Sequence, residues 1–271
     1  MPSEVLIVHG ARTAMGEFNG ALSGHTEIEL GGIAARGALS RSGVAASAID
    51  HVIFGNAQQT SANAVYGARH VGLKAAVPSS TPALTVNRLC GSGIQSIVSA
   101  AHLLGHSEAE LVLAGGMESM SQAPHVIRGL RRGLRLGEGR LEDSLTTALL
   151  DQSCGLMMAQ TADVLAKQKG ITREEADVFA ARSQQRAEAA YQAGKFKEEI
   201  VPVEIKKKGQ SILFDTDEHR RPETTPEVLA KLRPVFNTDL VTAGNASGIV
   251  DGAAAVVVAS GRRAERDGLK C

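Results

Sequence analysis

Along the first 118 residues, short runs of apolar residues alternate with longer segments in which the apolar residues have helical spacing. The segments with helical spacing cover residues 26–42, 63–72 and 93–104. A regular alternation of strands and helices predicts a mostly parallel sheet covered by helices on both faces. The predicted buried strands are Val5–Val8, Val52–Gly55, Thr85–Leu89 and Leu111–Ala114, the last closed by Gly115 and Gly116.

Two of these helices carry more specific signals. Thr26 precedes the first helix and Glu29 follows three residues later, which is a capping-box pattern. The 93–104 helix has little charge, and helical spacing groups its larger apolar residues into one face that we expect to be buried. Those residues are Ile94, Ile97, Val98, Ala101 and Leu104.

The pattern changes after residue 118. Residues 119–247 carry more charge and more loops, with helices predicted at 159–169 and 173–193. The small and apolar run Gly252–Ser260 then predicts one more buried strand. We therefore expect an α/β sheet domain in two pieces, 1–118 and 248–271, interrupted by an inserted loop domain, 119–247.

Composition narrows the function classes. The 271 residues include 29 Lys and Arg and 29 Asp and Glu, so the chain lacks the basic excess of a nucleic-acid binder. No stretch reaches the ~20 apolar residues of a membrane span, and the N-terminus lacks a signal-peptide pattern. Three cysteines are too few for a disulfide framework and favour a reducing compartment. We therefore expect a cytoplasmic globular protein without membrane or nucleic-acid partners.

The strongest candidate for chemistry is Cys90, in the segment NRLCGSG at Asn87–Gly93. It lies where a predicted strand ends and a helix begins, flanked by the glycines Gly91 and Gly93. A helix N-terminus offers free N–H groups and partial positive charge, which favour a thiolate and can stabilise an oxyanion. A buried structural cysteine is the competing interpretation, because free cysteines are often simply packed.

Two other enzyme classes lack their motifs. No GxGxxG follows the first strand, as a Rossmann-type oxidoreductase requires, and no GxSxG elbow of a serine hydrolase is present.

Three long motifs resemble the thiolase family, which comprises acetyl-CoA C-acyltransferases and acetyl-CoA acetyltransferases. They are NRLCGSGIQS at Asn87–Ser96, GGMESMSQAP at Gly115–Pro124 and TAGNASGIVDGAAAV at Thr242–Val256. The opening VHGARTAMGEFNGAL, Val8–Leu22, is also similar to the first strand of that family and the loop after it. The resemblance implies a layered thiolase-like fold with a mostly parallel, mixed sheet.

The resemblance also implies an activity. It makes Cys90 the nucleophile that attacks the keto carbon of a 3-ketoacyl-CoA, releases acetyl-CoA and keeps the acyl group as a thioester. A second CoA then accepts the acyl group, as in fatty-acid β-oxidation. The alternative is the biosynthetic direction, the condensation of two acetyl-CoA molecules. Coenzyme A is a co-substrate, and no metal or other cofactor is implied.

Other positions carry over by the same resemblance. Ser247 matches a serine that contacts the pantetheine arm of CoA, and Arg221 matches an arginine near the adenine, where a guanidinium can stack. A turn cap for Ser247 and a solvated side chain for Arg221 are the alternatives. Met157 stands where acetoacetyl-specific members carry His, which favours the broader 3-ketoacyl-CoA type. The basic segment 128–140 is similar to a loop that joins dimers into tetramers, which implies a homo-oligomer; a solvated turn is the alternative.

The resemblance covers only the first half of a duplicated fold and its loop domain. In the family the second half supplies a His in a Gly-His-Pro context, which activates the nucleophile, and a Cys in a Gly-rich turn, which shuttles the condensation proton. None of the eight histidines here has that context, and Cys154 and Cys271 are not in Gly-rich turns, so we expect little or no thiolysis by this chain alone. The second half would also cover one side of the 93–104 helix, which we therefore expect to be uncovered here. Three interpretations stay open. They are a fragment of a thiolase, a non-catalytic protein that binds CoA or a partner, and a subunit completed by another chain.

Overall fold

The computed structural model describes residues 4–134, 136–207 and 209–271. The strands are β1 (Val5–Arg12), β2 (Gly16–Glu17), β3 (His51–Gly55), β4 (Ala83–Val86), β5 (Leu111–Ser119), β6 (His125–Val126), β7 (Glu142–Asp143), β8 (Leu150–Asp151), β9 (Leu156–Met157), β10 (Val203–Lys207), β11 (Gln210–Phe214) and β12 (Val250–Ser260). The α-helices are α1 (Glu27–Ser42), α2 (Gly67–Lys74), α3 (Ser92–Gly105), α4 (Ser144–Ala148), α5 (Met158–Lys169), α6 (Arg173–Gln192), α7 (Pro226–Leu229) and α8 (Gly261–Asp267).

The chain divides into two compact units. The first unit, called the sheet unit here, comprises Met1–Gln122, Lys197–Glu218 and Val250–Cys271. The second unit comprises Ala123–Phe196 and His219–Ile249. The predicted division into 1–118 with 248–271 and 119–247 stays a prediction of domain organisation. The compact units differ from it by placing 197–218 with the sheet.

Arg12, at the end of β1, explains why 197–218 joins the sheet unit. Its N–H donates to the Glu199 carbonyl and its own carbonyl accepts from Val201, both at 2.8 Å. Its guanidinium holds the Asp217 carboxylate at two points, 2.7 and 2.9 Å. Such a bidentate pair is among the stronger polar contacts, so this segment is tied to β1 at two places.

A mixed sheet of six strands forms the centre of the sheet unit. Its order is β1-β12-β5-β3-β4, and β2 pairs with β12 near the start of that strand. The pairs of β12 with β1, β5 and β2 are antiparallel, whereas β5, β3 and β4 are parallel. The predicted mixed sheet is confirmed, but the prediction that it is mostly parallel is wrong, because three of its five strand pairs in the described residues are antiparallel. Parallel pairing is confined to three strands because β12, from late in the chain, lies antiparallel between β1 and β5.

Both faces of the sheet are covered by helices, as predicted. Along β3, Val52 and Phe54 pack into the core that α1 and α2 share with the sheet, while Ile53 packs toward α3. Along β5, Leu113 belongs to the first core and Val112 to the second. Successive strand residues point to opposite faces, so continuous apolar runs are what a sheet buried on both faces requires.

The capping box of α1 is present. Thr26 is the N-cap, its hydroxyl accepts from the Glu29 N–H at 3.2 Å, and the Glu29 carboxylate accepts from the Thr26 N–H at 2.9 Å. The helix ends at Gly43, which has φ +68°, a conformation that favours glycine.

The strand β5 runs five residues beyond its predicted end at Ala114, through Gly115 and Gly116 to Ser119. A side chain on Gly115 would collide with the Ala254 carbonyl oxygen and the Phe54 ring, so this pair of glycines serves close packing rather than a turn.

The apolar face predicted for α3 is buried only in part, and one side of it is uncovered, as the resemblance to half of a duplicated fold implies. The buried residues are Ser92, Ser96, Ala100 and Leu104, whereas Ile94 is 69% exposed and Val98 40% exposed. Small residues face the sheet because the helix lies very close to the strand ends, where larger side chains would not fit. The predicted face of larger apolar residues is therefore partly exposed to solvent.

The second unit is built mainly on α5 and α6, with two small two-stranded antiparallel sheets, β6-β7 and β8-β9. The buried Asp177 on α6 accepts from Arg173 at 2.8 Å and from Asn245 at 2.9 Å. In the basic segment, Arg128 pairs with Glu142, and Arg135 lies outside the described residues. The role of this segment in assembly stays a prediction.

None of the helices in the described part of the chain is long and apolar enough to cross a membrane.

Candidate active site

Cys90 lies in the turn between β4 and α3, two residues before the helix begins at Ser92. Its side chain is exposed, which contradicts the interpretation of a buried packing cysteine. The N-cap is Gly91, whose N–H donates to the Arg88 carbonyl, while the Ser92 N–H donates to the Leu89 carbonyl, both at 3.0 Å. The thiol therefore stands in solvent beside the positive end of a 14-residue helix, as the sequence predicts.

The backbone before Cys90 adopts an uncommon conformation. Leu89 has φ +49°, in the left-handed region that side-chain-bearing residues rarely occupy. The Asn87 Oδ1 accepts from the Leu89 N–H at 2.9 Å. The Ser92 hydroxyl accepts from the Arg88 N–H at 2.8 Å and donates to the Leu89 carbonyl at 2.6 Å. These local bonds stabilise the turn that presents Cys90.

The same turn is held against the ends of two parallel strands. A Cβ on Gly55, the last residue of β3, would lie 2.5 Å from the Ser92 carbonyl carbon. A Cβ on Gly116 in β5 would lie 3.3 Å from the Gly93 Cα. Glycine at both positions lets the first turn of α3 touch the sheet, which fixes where the helix starts.

A cluster of polar groups that sequence reasoning did not identify surrounds Glu118 near the end of β5. Its carboxylate accepts from the backbone N–H groups of Ala57 and Gln58 and from Asn56 Nδ2. Asn56 is fully buried and also donates to the Met117 carbonyl at 3.0 Å. Burial raises the pKa of Glu118 above its usual value, although these three donors oppose the rise.

Glu27 at the start of α1 belongs to the same region. It is fully buried and accepts from the hydroxyls of Thr60 and Ser61. Its charge adds to the rise in the pKa of Glu118. The signal that would have found this cluster is positional: Asn56 directly follows β3 and Glu118 lies near the end of its parallel neighbour β5, so both occupy the edge where the strands end.

The structure places the two predicted CoA contacts, Arg221 and Ser247, in the second unit, and both are exposed. Their segments touch, because the His219 ring packs where a side chain on Gly248 would stand. The neighbouring Arg220 is engaged in packing, with its guanidinium 3.9 Å from the centre of the Tyr191 ring. Of the adjacent arginines, it is thus Arg221 that extends to the surface. Cys90 lies in the other unit.

Asn245 anchors the turn that carries Ser247. Its Oδ1 accepts from the Thr242 N–H at 2.8 Å, and its Nδ2 donates to the Leu240 carbonyl at 3.0 Å and to Asp177. The turn is thereby fixed to α6. The roles of Ser247 and Arg221 stay predictions.

Met157 ends β9, and its N–H donates to Gln160 Oε1 at 2.9 Å. Among residues 4–134, 136–207 and 209–271, no group of three or more His, Cys, Asp or Glu side chains is arranged to hold a metal ion.

Residues 5–262 match the family described as thiolase, N-terminal domain. The chain is 51% identical to the human mitochondrial 3-ketoacyl-CoA thiolase over 258 residues. This alignment covers 94% of this chain and 65% of the human protein. It is 45% identical to the beta-ketothiolase BktB of Cupriavidus necator, over 100% of this chain and 69% of that protein. The chain thus spans about two thirds of the length of these relatives.

Solved structures agree with the sequence comparison. The structure of the human mitochondrial 3-ketoacyl-CoA thiolase superposes with a TM-score of 0.96 at 48% identity, covering 99% of this chain and 68% of that one. The same human protein in complex with CoA gives 0.94, at 48% identity over 99% and 67% of the two chains. A Bacillus anthracis acetyl-CoA acetyltransferase gives 0.95 at 39% identity, over 99% and 68%. On these grounds, and on the mixed sheet that places Cys90 at the start of α3, the chain belongs to the thiolase family.

Proposed function

We propose that the chain provides the nucleophile and CoA-contacting residues of a thiolase-type acyltransferase that acts on 3-ketoacyl-CoA. The observation that carries the proposal is the placement of Cys90. It is an exposed thiol, it stands beside the N-terminus of α3, and a dense set of hydrogen bonds orders the turn around it. The relatives named as 3-ketoacyl-CoA thiolases support the substrate class.

The proposed reaction has two steps. The Cys90 thiolate attacks the 3-keto carbon, the bond between C2 and C3 breaks, and acetyl-CoA leaves after its C2 carbanion takes a proton. The acyl group remains on sulfur as a thioester. The thiolate of a second CoA then attacks that thioester and regenerates the Cys90 thiolate. Sulfur suits both steps because a thiolate is a good nucleophile and a good leaving group.

In this proposal Arg221 and Ser247 contact CoA, with no metal or other cofactor. The surface position of Arg221 and the ordered turn around Ser247 support these roles. The solved structure of the human thiolase with CoA supports the ligand class.

The biosynthetic direction is the second candidate. Relatives named acetyl-CoA acetyltransferase are 44% identical to this chain, and reversal of the two steps joins two acetyl units. The same cysteine serves both directions.

Assembly and location are also proposals. The resemblance of the segment 128–140 to an assembly loop supports a homo-oligomer, a dimer or tetramer, once the second half of the fold is supplied. Three exposed, unpaired cysteines suit a reducing compartment such as the cytoplasm. Light scattering of the purified chain tests the oligomeric state. Localisation of the tagged chain in its own cells tests the cytoplasmic location.

Exchange of label between acetyl-CoA and free CoA tests the proposed function, since it needs only transfer of the acetyl group to sulfur and back. We expect slow exchange by the wild-type chain, because none of its eight histidines has the context of the family's activating His. We expect none by Cys90→Ala, with Cys154→Ala as the matched control that retains the wild-type rate. Equal exchange by Cys90→Ala and wild type would overturn the proposal. Exchange by neither protein would show that this chain does not form the acyl-enzyme by itself.

A further inference from the structure

We propose that Glu118 is a positioning residue for Cys90, acting through the backbone of Ala57 and the side chain of Asn87. This inference rests on the proposed function, in which Cys90 is the nucleophile. Glu118 has no direct hydrogen bond to Cys90 among the bonds seen in the described residues. Its connection runs through a series of bonds within the sheet unit, here called the Glu118–Asn87 link.

The first step of the link orders the loop after β3. The Glu118 carboxylate accepts from the N–H groups of Ala57 and Gln58, and from Asn56 Nδ2 at 3.2 Å. A carboxylate that accepts several donors in a largely buried place holds them in a fixed arrangement, because a lost bond there leaves a polar group unsatisfied. The Ala57 peptide is thereby fixed relative to β5.

The second step carries that order to the nucleophile turn. The carbonyl of Ala57 accepts from Asn87 Nδ2 at 3.2 Å. The other end of the same amide, Oδ1, accepts from the Leu89 N–H at 2.9 Å. Asn87 therefore joins the ordered loop to the residue directly before Cys90.

The third step concerns the backbone of Leu89. Its left-handed conformation, φ +49°, costs free energy for a residue with a side chain and persists only where the surroundings determine it. Asn87 on one side and the Ser92 hydroxyl on the other supply that determination. If the link is broken, Leu89 can relax to ordinary backbone angles, which would move the Cys90 thiol away from the start of α3.

Four single variants test the link. Glu118→Gln removes the carboxylate at its start, and Asn87→Ala removes both bonds of the amide. Asn87→Asp keeps an acceptor for the Leu89 N–H but loses the donor to Ala57. Glu110→Gln is the matched control, because Glu110 is an ion-paired carboxylate immediately before β5 that bonds Arg266 at 3.0 Å, away from the link.

Two measurements do not require turnover. Amide hydrogen exchange by NMR reports the order at Ala57, Gln58 and Leu89. The rate of iodoacetamide alkylation at Cys90, with Cys154 and Cys271 as internal references, reports the placement of the thiol. We expect Asn87→Ala and Glu118→Gln to speed exchange at Leu89 and slow Cys90 alkylation by about two- to tenfold, the scale of one lost hydrogen bond.

In the same measurements Asn87→Asp should fall between Asn87→Ala and wild type, and Glu110→Gln should match wild type. The proposal is overturned if Glu118→Gln speeds exchange at Ala57 and Gln58 but leaves Leu89 and Cys90 as in wild type, because the role of Glu118 is then confined to the loop. If Glu118→Gln does not fold, Asn87→Ala becomes the deciding variant. An unchanged exchange rate at Leu89 and an unchanged alkylation rate at Cys90 in Asn87→Ala would then overturn the proposal.

Failure of the proposed function would look different. Absence of label exchange by the wild-type chain, with the variants still shifting Leu89 and Cys90 as expected, would contradict acyl transfer by this chain and leave the positioning role intact.

Discussion

Gly55, at the end of β3, touches Ser92, at the start of α3, so closely that a Cβ on Gly55 would lie 2.5 Å from the Ser92 carbonyl carbon. This contact fixes the first turn of the helix against the sheet, two residues after Cys90. The position of Cys90 is thus set by strand and helix packing as well as by its own loop.

Gly55→Ala should therefore destabilise the chain by about 1–3 kcal/mol, the usual cost of adding an atom where the packing has no room. The measurement is urea unfolding at neutral pH. Gly105→Ala, at the far end of the contacted helix α3, is the control, because a Cβ there meets nothing within 4 Å. That variant should be neutral or stabilising by up to about 1 kcal/mol. Equal stability of both variants would contradict the close contact.

The capping box of α1 gives a second prediction. Thr26→Ala removes the hydroxyl that accepts from the Glu29 N–H, and should cost about 1 kcal/mol in the free energy of unfolding. Ser40→Ala, at an exposed position of the same helix, is the control, since it leaves this N-terminal cap intact. A loss no greater than that of the control would show that the cap contributes little.

The same box predicts a pH dependence. The backbone N–H of Thr26 lowers the pKa of Glu29, although partial burial opposes this. A lowered pKa in the folded state contributes stability above the unfolded pKa, and this stability is lost as the pH falls through the folded value. The stability difference between wild type and Glu29→Gln should therefore be largest near neutral pH and shrink in acid. A difference that grows as the pH falls would contradict the sign.

Variants of Asn245 and Ser247 should affect different properties: the stability of the chain for Asn245, and CoA binding for Ser247. Asn245→Ala removes three hydrogen bonds, including one to the buried Asp177, and should cost about 1–3 kcal/mol. Ser247→Ala lies on the exposed part of the same turn and should weaken CoA binding with little change in melting temperature. Thermal unfolding with and without CoA, together with calorimetric titration, checks both. Unchanged CoA affinity in Ser247→Ala would remove this residue from the proposed site.

The three cysteines should differ in reactivity although all are exposed. Cys90 stands beside the N-terminus of α3, whereas Cys154 lies in a turn after β8 with its sulfur 3.9 Å from the Asp151 carbonyl oxygen, which offers no positive charge. Time-resolved alkylation with iodoacetamide, followed by mass spectrometry, should label Cys90 first. Faster labelling of Cys154 or Cys271 would contradict the proposed role of the helix terminus.

Local patterns predicted the elements whose cause is local. The capping pair Thr26 and Glu29 placed the start of α1, and the apolar run Gly252–Ser260 lies within β12. Contacts between distant segments decided the rest. Gly115 looked like the end of a strand, but it lies inside β5 because Ala254 and Phe54 approach it from elsewhere in the chain.

The candidate site likewise has one feature set by local sequence and others set by contacts between distant segments. The position of Cys90 before a helix followed from flanking glycines and the spacing of the next segment. The contacts of Glu118 follow from the sequence only once β3 and β5 are known to pair in parallel, because its partners Asn56 and Ala57 follow a different strand. The exposed position of Ile94 depends in the same way on how closely α3 approaches Gly55 and Gly116.

The central claim is that Cys90 accepts the acyl group of a 3-ketoacyl-CoA. The most direct test is to mix the chain with acetoacetyl-CoA, quench in acid and map the acetyl thioester by peptide mass spectrometry, with Cys90→Ala as the control. We predict an acetyl group that accumulates slowly on Cys90, because little or no turnover is expected of this chain alone, and that disappears when free CoA is added before the quench. An acetyl group on Cys154 or Cys271 instead, or an unmodified Cys90 that still reacts readily with iodoacetamide, would contradict the claim.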